Sequence, residues 1–258
     1  SREGAPERQF KYLHQMCLLH ASNFTRANQI KIVSLLDGYK AVIAARNPIG
    51  PYLFSRSIFE LSAFICDVST RLRDIAAKPD ANWMSKGEEF FSLIVRARFA
   101  TTDLKKRRAL EAAGMPARLL KPINVMNSIA TLLAQPGAAD ALRDQYDRLC
   151  DFVHHNLSSQ VTSSPGFRMG DVAHSAGGGA LVMMKGGPIT RYEYPVPHKP
   201  ELAVEETLPI VMKCIEVCVE HLNRIPETPF SAAQLQERTG SSIGLTALTP
   251  GSVNPTRH

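Results

Sequence analysis

The chain has 258 residues, 44% of them hydrophobic and 21% charged, with a formal net charge of +6. That length can bury a sizeable core, and the absence of any run of about 18 apolar residues excludes a membrane-spanning helix. The five cysteines, Cys17, Cys66, Cys150, Cys214 and Cys218, are odd in number and sit among aliphatic or aromatic neighbours. This argues for free, buried thiols in a cytoplasmic setting and against a disulfide framework. The first eight residues are polar with no apolar signal segment behind them.

In chain order, a first helix is predicted over 7–21, where Phe10, Leu13, Cys17 and Leu18 recur at helical spacing. A second is predicted over 25–46, with Thr25 able to cap it and Ile30, Val33, Leu35 or Leu36, Val42 and Ile43 as its apolar stripe. Asn47-Pro48-Ile49-Gly50-Pro51 then breaks the chain. The third helix, 52–77, is the most apolar. Phe54, Ile58, Leu61, Ile65, Val68 and Leu72 fall on one side, with Phe59, Ala63 and Cys66 widening it, so it is expected at the centre of a bundle.

A fourth helix is predicted over 85–113, stopped by Gly114 and Pro116. It carries Arg96, Arg98 and the run Lys105-Lys106-Arg107-Arg108, which reads either as a solvated face or as a phosphate-contacting stripe. A short fifth helix follows from 117 or 122 to 133, then a turn at Gln135-Pro136-Gly137 and a sixth helix over 138–159.

The helical period disappears over 160–200. Residues 180–184 and 189–194, joined through Gly186-Gly187, are expected to pair as a β-hairpin, because Thr190, Tyr192 and Tyr194 alternate with Ile189, Arg191 and Glu193. The last helix is predicted over 200–224, with Leu208, Val211, Ile215, Cys218 and Leu222 as its stripe and Pro209 as a kink. The expected architecture is an all-α multi-helix bundle of about seven helices with a small β-hairpin insertion (about 178–196) before the last helix. It forms a single helical domain over 7–225, followed by a poorly ordered tail over 226–258.

The segment Tyr146-Asp147-Arg148-Leu149-Cys150-Asp151-Phe152-Val153-His154-His155-Asn156 is the richest in chemistry. On a helix, Tyr146, Cys150 and His154 stack at four-residue steps, and Arg148 and His155 point nearly the same way two turns apart. Paired histidines with an upstream arginine supply a proton-transfer group near neutral pH and a fixed cation. Cleavage of a phosphodiester without a metal requires those two functions. A core histidine beside an exposed one is the structural alternative. On the third helix, Arg56 and Glu60 form an i, i+4 pair on an apolar background, with Tyr146 and His154 as their natural further partners.

Arg148 followed by His154 or His155 resembles the R-x(4–6)-H motif of HEPN domains, all-α domains that include many metal-independent RNA nucleases. The resemblance implies Arg148 with His154 or His155 as the catalytic residues; in that reading Arg56 and Glu60 would orient them, with Tyr146 and Asn156 as further supporting residues. It also implies RNA as partner, no cofactor or metal, and a site formed across a homodimer. Leu149 stands where that family usually has a polar residue. Arg56-x-x-x-Glu60 together with Tyr146-x-x-Leu149-Cys150-x-x-x-His154 also resembles an uncharacterised group of bacterial helical proteins, over about residues 25–160.

Other clusters read as structure. Cys214-x3-Cys218-x2-His221 and His14/Cys17/His20 have metal-ligand spacing but fall on apolar stripes, so core packing is expected. Gly177-Gly178-Gly179 lacks the context of a phosphate loop, and Ser158 and Ser175 lack that of a nucleophile elbow. Two functional readings stay open. One is an HEPN-like RNA-processing or RNA-binding protein, an endoribonuclease of toxin or phage-defence type. The other is a non-catalytic helical interaction or dimerisation module with a buried Arg-Glu-His-Tyr packing network. No membrane partner is expected under either.

Overall fold

A computed structural model describes residues 4–99, 103–112, 124–153, 172–174, 181–183 and 200–239. Among them are eight α-helices: α1 (Ala5–Ala44), α2 (Gly50–Ala76), α3 (Trp83–Phe99), α4 (Leu104–Ala112), α5 (Val125–Leu133), α6 (Ala139–Val153), α7 (Pro200–Asn223) and α8 (Ala232–Thr239). The all-helical bundle expected from the sequence is present. None of the described helices is long and apolar enough to cross a membrane.

As its composition requires, α2 is the central element, packed against α1, α3, α5, α6 and α7. Ile58, Phe59, Leu61, Ala63, Ile65, Cys66, Val68 and Leu72 are all buried. One core cluster joins α2 to α1 and α3 through Phe24, Ile65, Val68, Leu72, Phe90 and Ile94. The other joins α2 to α5, α6 and α7 through Tyr52, Phe59, Leu132, Leu142, Leu149, Phe152 and Ile210. Small side chains let α7 approach α2 closely. Ser62 Oγ meets the Cys214 carbonyl at 3.1 Å as well as the Ile58 carbonyl of its own helix at 2.8 Å, and Ser69 Oγ donates to the His221 carbonyl at 2.9 Å, so both buried hydroxyls are paired.

Several elements differ from expectation. The first two predicted helices are one, α1, of 40 residues. Residues 22–25 contain no Gly or Pro, and Ala21, Phe24, Asn28 and Ile32 form an unbroken buried stripe, so Thr25 caps nothing. The predicted stripe residues Ile30 and Val33 are exposed instead. The predicted fourth helix is two, α3 and α4, because Asp103 Oδ1 accepts from the Lys105 and Lys106 amides and starts a new helix.

The described strands, Val172–His174 and Leu181–Met183, pair antiparallel with each other. The pairing expected between 180–184 and 189–194 is not supported, and residues 189–194 lie outside the described residues. Part of the expected tail is placed on the bundle. Phe230 is buried against Phe10 with ring centroids 4.6 Å apart, and Ser231 Oγ donates to Asp80 at 2.6 Å. Residues 240–258 lie outside the described residues.

Candidate functional site

Two polar clusters border α6, one on each flank. Residues 146 and 148 lie two steps of about 100° apart on the helix and so leave it in opposed directions. Leu149 and Phe152, between these flanks, are buried and anchor α6 in the core, with Phe152 stacked on Tyr52 of α2 at 3.9 Å.

On the first flank Arg56 Nε donates to Glu60 Oε1 at 3.1 Å, and Tyr146 Oη donates to the same oxygen at 3.4 Å. The Tyr146 ring lies stacked on Phe59, 4.6 Å between centroids. Burial works to lower the Arg56 pKa, but the adjacent Glu60 carboxylate, with Cys150 and Tyr146 beyond it, raises it overall. Burial first, then Cys150 and Glu60, pushes the Tyr146 hydroxyl up to about 12. Both groups therefore keep their protons at neutral pH, the arginine as a cation and the tyrosine as a neutral donor. Glu60 also borders a groove of about 400 Å³ with Lys31, Leu35, Ser57, Phe64 and Ser128, so this network reaches solvent on one side.

On the second flank Arg148 Nη2 donates to Glu206 Oε1 of α7 at 2.6 Å, and Tyr52 Oη donates to Glu206 Oε2 at 2.6 Å. Both carboxylate oxygens are thus engaged. Burial, then the hydrogen bond and charge of Glu206, raises the Tyr52 pKa well above the ordinary tyrosine value. These side chains line a cavity of about 160 Å³ with Gln145, Glu205, Thr207 and Pro209. Pro209 sits inside α7 and has no N–H, so the carbonyl four residues back, at Glu205, loses its helical donor beside the cavity.

The structure thus brings Arg56, Glu60 and Tyr146 together, as the sequence suggested, but places Arg148 with Glu206 and Tyr52 instead. His154, His155 and Asn156, the other expected site residues, lie outside the described residues. Glu206 and Tyr52 were missed by sequence reasoning. The only signal for Glu206 was a carboxylate three residues before an intrahelical proline. No protein-family model, curated protein or solved structure matches the chain.

The cysteine-rich constellation packs in the core. Cys66, Cys214 and Cys218 are buried, and burial raises their thiols to about 11, 12 and 11, which keeps them protonated and unreactive. Cys218 Sγ meets Ser62 Oγ at 3.0 Å, and His221 Nε2 meets Cys66 Sγ at 3.5 Å. His14 pairs with Thr228, and His20 accepts from Arg98 at 2.8 Å. Among the described residues no group of three or more His, Cys, Asp or Glu is placed to hold a metal ion. A larger groove of about 540 Å³ between α2 and α3 carries charges of both signs, with Lys78 and Glu89 paired across it at 2.6 Å. It presents no single charge for a ligand to read.

Proposed function

We propose that the chain is an HEPN-like RNA-processing or RNA-binding protein of the cytoplasm, a metal-independent endoribonuclease of toxin or phage-defence type. In this reading the Arg148 cavity receives an RNA phosphate and His154 and His155 transfer protons. The observation that carries it is the Arg148–Glu206–Tyr52 cluster at a cavity. Glu206 engages one of the guanidinium's five donors and fixes its direction, leaving the others to meet phosphate oxygens.

The chemistry such a site would perform is transesterification. One imidazole takes the proton of the ribose 2′-hydroxyl as its oxygen bonds to phosphorus. The bond from phosphorus to the 5′-oxygen breaks, and the second, protonated imidazole gives that oxygen its proton. Arg148 stabilises the charge that accumulates on the phosphorane-like state. By the HEPN resemblance, a homodimer is the proposed assembly. The test is cleavage of a labelled single-stranded RNA by the wild type, by Arg148→Ala and by His154→Ala/His155→Ala. Cleavage should fall at least a hundredfold in both variants without loss of the folded state, and undiminished cleavage by the histidine double variant overturns the assignment.

A second reading is favoured by a different observation. Arg56 and Arg148 are each neutralised by a carboxylate, Glu60 and Glu206 respectively. Such pairing suits a non-catalytic helical interaction or dimerisation module, in which both clusters fix the packing of α6. That reading predicts no RNA cleavage at any enzyme concentration.

A further inference from the structure

We propose that α4 is an RNA-docking helix, separate from the Arg148 site, that contacts the phosphate backbone through Lys105, Lys106 and Arg108. The proposal deepens the RNA reading above and rests on it. Four of the nine residues of α4, Lys105 to Arg108, are cationic, and Glu111 is its single acid. None of its residues is buried, so this charge serves no core. Arg107 has other interactions, but among the described residues Lys105, Lys106 and Arg108 make no ion pair. The helix is nonetheless a formed element. Asp103 caps it, accepting from the amides of Lys105 at 2.9 Å and Lys106 at 3.1 Å, and the Arg107 amide donates to the Asp103 carbonyl.

The angular arrangement selects the partner. At about 100° per residue, Lys105, Lys106 and Arg108 lie within an arc of roughly 160°, so these three cations share one exposed face of the helix. A helix lying on an anionic membrane segregates its charges to one face and presents a broad apolar face to the lipid. Here the apolar side chains, Leu104 and Leu110 with two small alanines, are too few for that. A cationic face without a broad apolar face beside it instead suits a partner that offers phosphates and no apolar interior, as the backbone of RNA does.

The proposal is tested with the full chain by fluorescence anisotropy on a 5′-labelled single-stranded RNA, titrated from 50 to 200 mM salt. The triple variant Lys105→Gln/Lys106→Gln/Arg108→Gln removes three phosphate contacts. Its slope of log affinity against log salt should be shallower by about 2. Over that salt range the wild type should therefore lose roughly 20-fold more affinity than the variant. Thermal melts should coincide, because α4 buries nothing. Identical slopes, or a variant that loses binding to phosphatidylserine vesicles but keeps its RNA affinity, overturn the proposal. Arg148→Ala separates the two ideas. Lost cleavage with a salt slope shallower by no more than about 0.7, its own single phosphate contact, supports both, whereas RNA binding that depends on α4 without any wild-type cleavage removes the active-site reading and leaves α4 standing. No RNA binding by the wild type removes both.

Discussion

Replacing Glu60 with alanine takes away the anion beside Arg56 and the acceptor of Tyr146 in one step. The Arg56 side chain is 21% exposed and that of Glu60 37% exposed, so the pair is intermediate between a surface bridge and a buried one. Exposed pairs contribute about 0–1 kcal/mol, whereas removing one partner of a fully buried pair costs about 3–5 kcal/mol. The Arg56–Glu60 bond at 3.1 Å is sound, but the Tyr146 bond at 3.4 Å is weak and solvent reaches Glu60 through the adjoining groove. A loss of about 1–2 kcal/mol follows from these limits. For a chain of this size that corresponds to a melting point lower by roughly 2–8 °C. Urea and thermal unfolding followed by circular dichroism measure it. Arg56→Met combined with Glu60→Leu should recover most of the loss, because no charge is then stranded in the helix interface. A Glu60→Ala melting point within 1 °C of wild type, or a double variant weaker than the single, would refute the reasoning.

Two further outcomes concern the scaffold. Burial holds His221 below the ordinary histidine value of 6.5, and burial also lowers His14 and His20, with Arg98 adding to the effect at His20. Below pH 6.5 the unfolded chain takes up protons that the folded chain refuses, so stability is fully present above that pH and declines as pH falls. His221→Gln should flatten the decline in urea midpoint between about pH 6.5 and 5; an unchanged slope would contradict this. Gly38→Ala would place a Cβ 2.2 Å from Phe54 Cε1 and 2.5 Å from its Cζ at the α1–α2 contact. Displacing that ring should cost about 1–3 kcal/mol in denaturant unfolding, and a neutral substitution would show that the two helices part freely.

The fold was legible where local pattern and burial coincide. The stripe from Ile58 to Leu72 marked α2 as central because a helix apolar around so much of its circumference has no solvent face to spare. Element boundaries were less legible. Thr25 has the chemistry of a cap, yet nothing around it interrupts the helix, whereas Asp103 begins a helix inside a segment whose composition reads as continuous. Of the site, the Arg56–Glu60 pair could be read from i, i+4 spacing, and Tyr146 from its position on the next polar helix. Glu206 could not, since its meeting with Arg148, 58 residues earlier, depends on how α6 and α7 pack side by side. Tyr52 read as the first residue of an apolar helix, and its hydroxyl acquired a role only when α7 brought a carboxylate within 2.6 Å.

The proposed function requires that an RNA phosphate be held by the guanidinium of Arg148 and cleaved with the help of His154 and His155. End-group analysis of a labelled RNA incubated with the purified protein in excess chelator tests it most directly. Fragments bearing 2′,3′-cyclic phosphate and 5′-hydroxyl ends are expected from the wild type, and none above background from His154→Ala/His155→Ala. Intact RNA with the wild type, or the same fragments from the double variant, would contradict it.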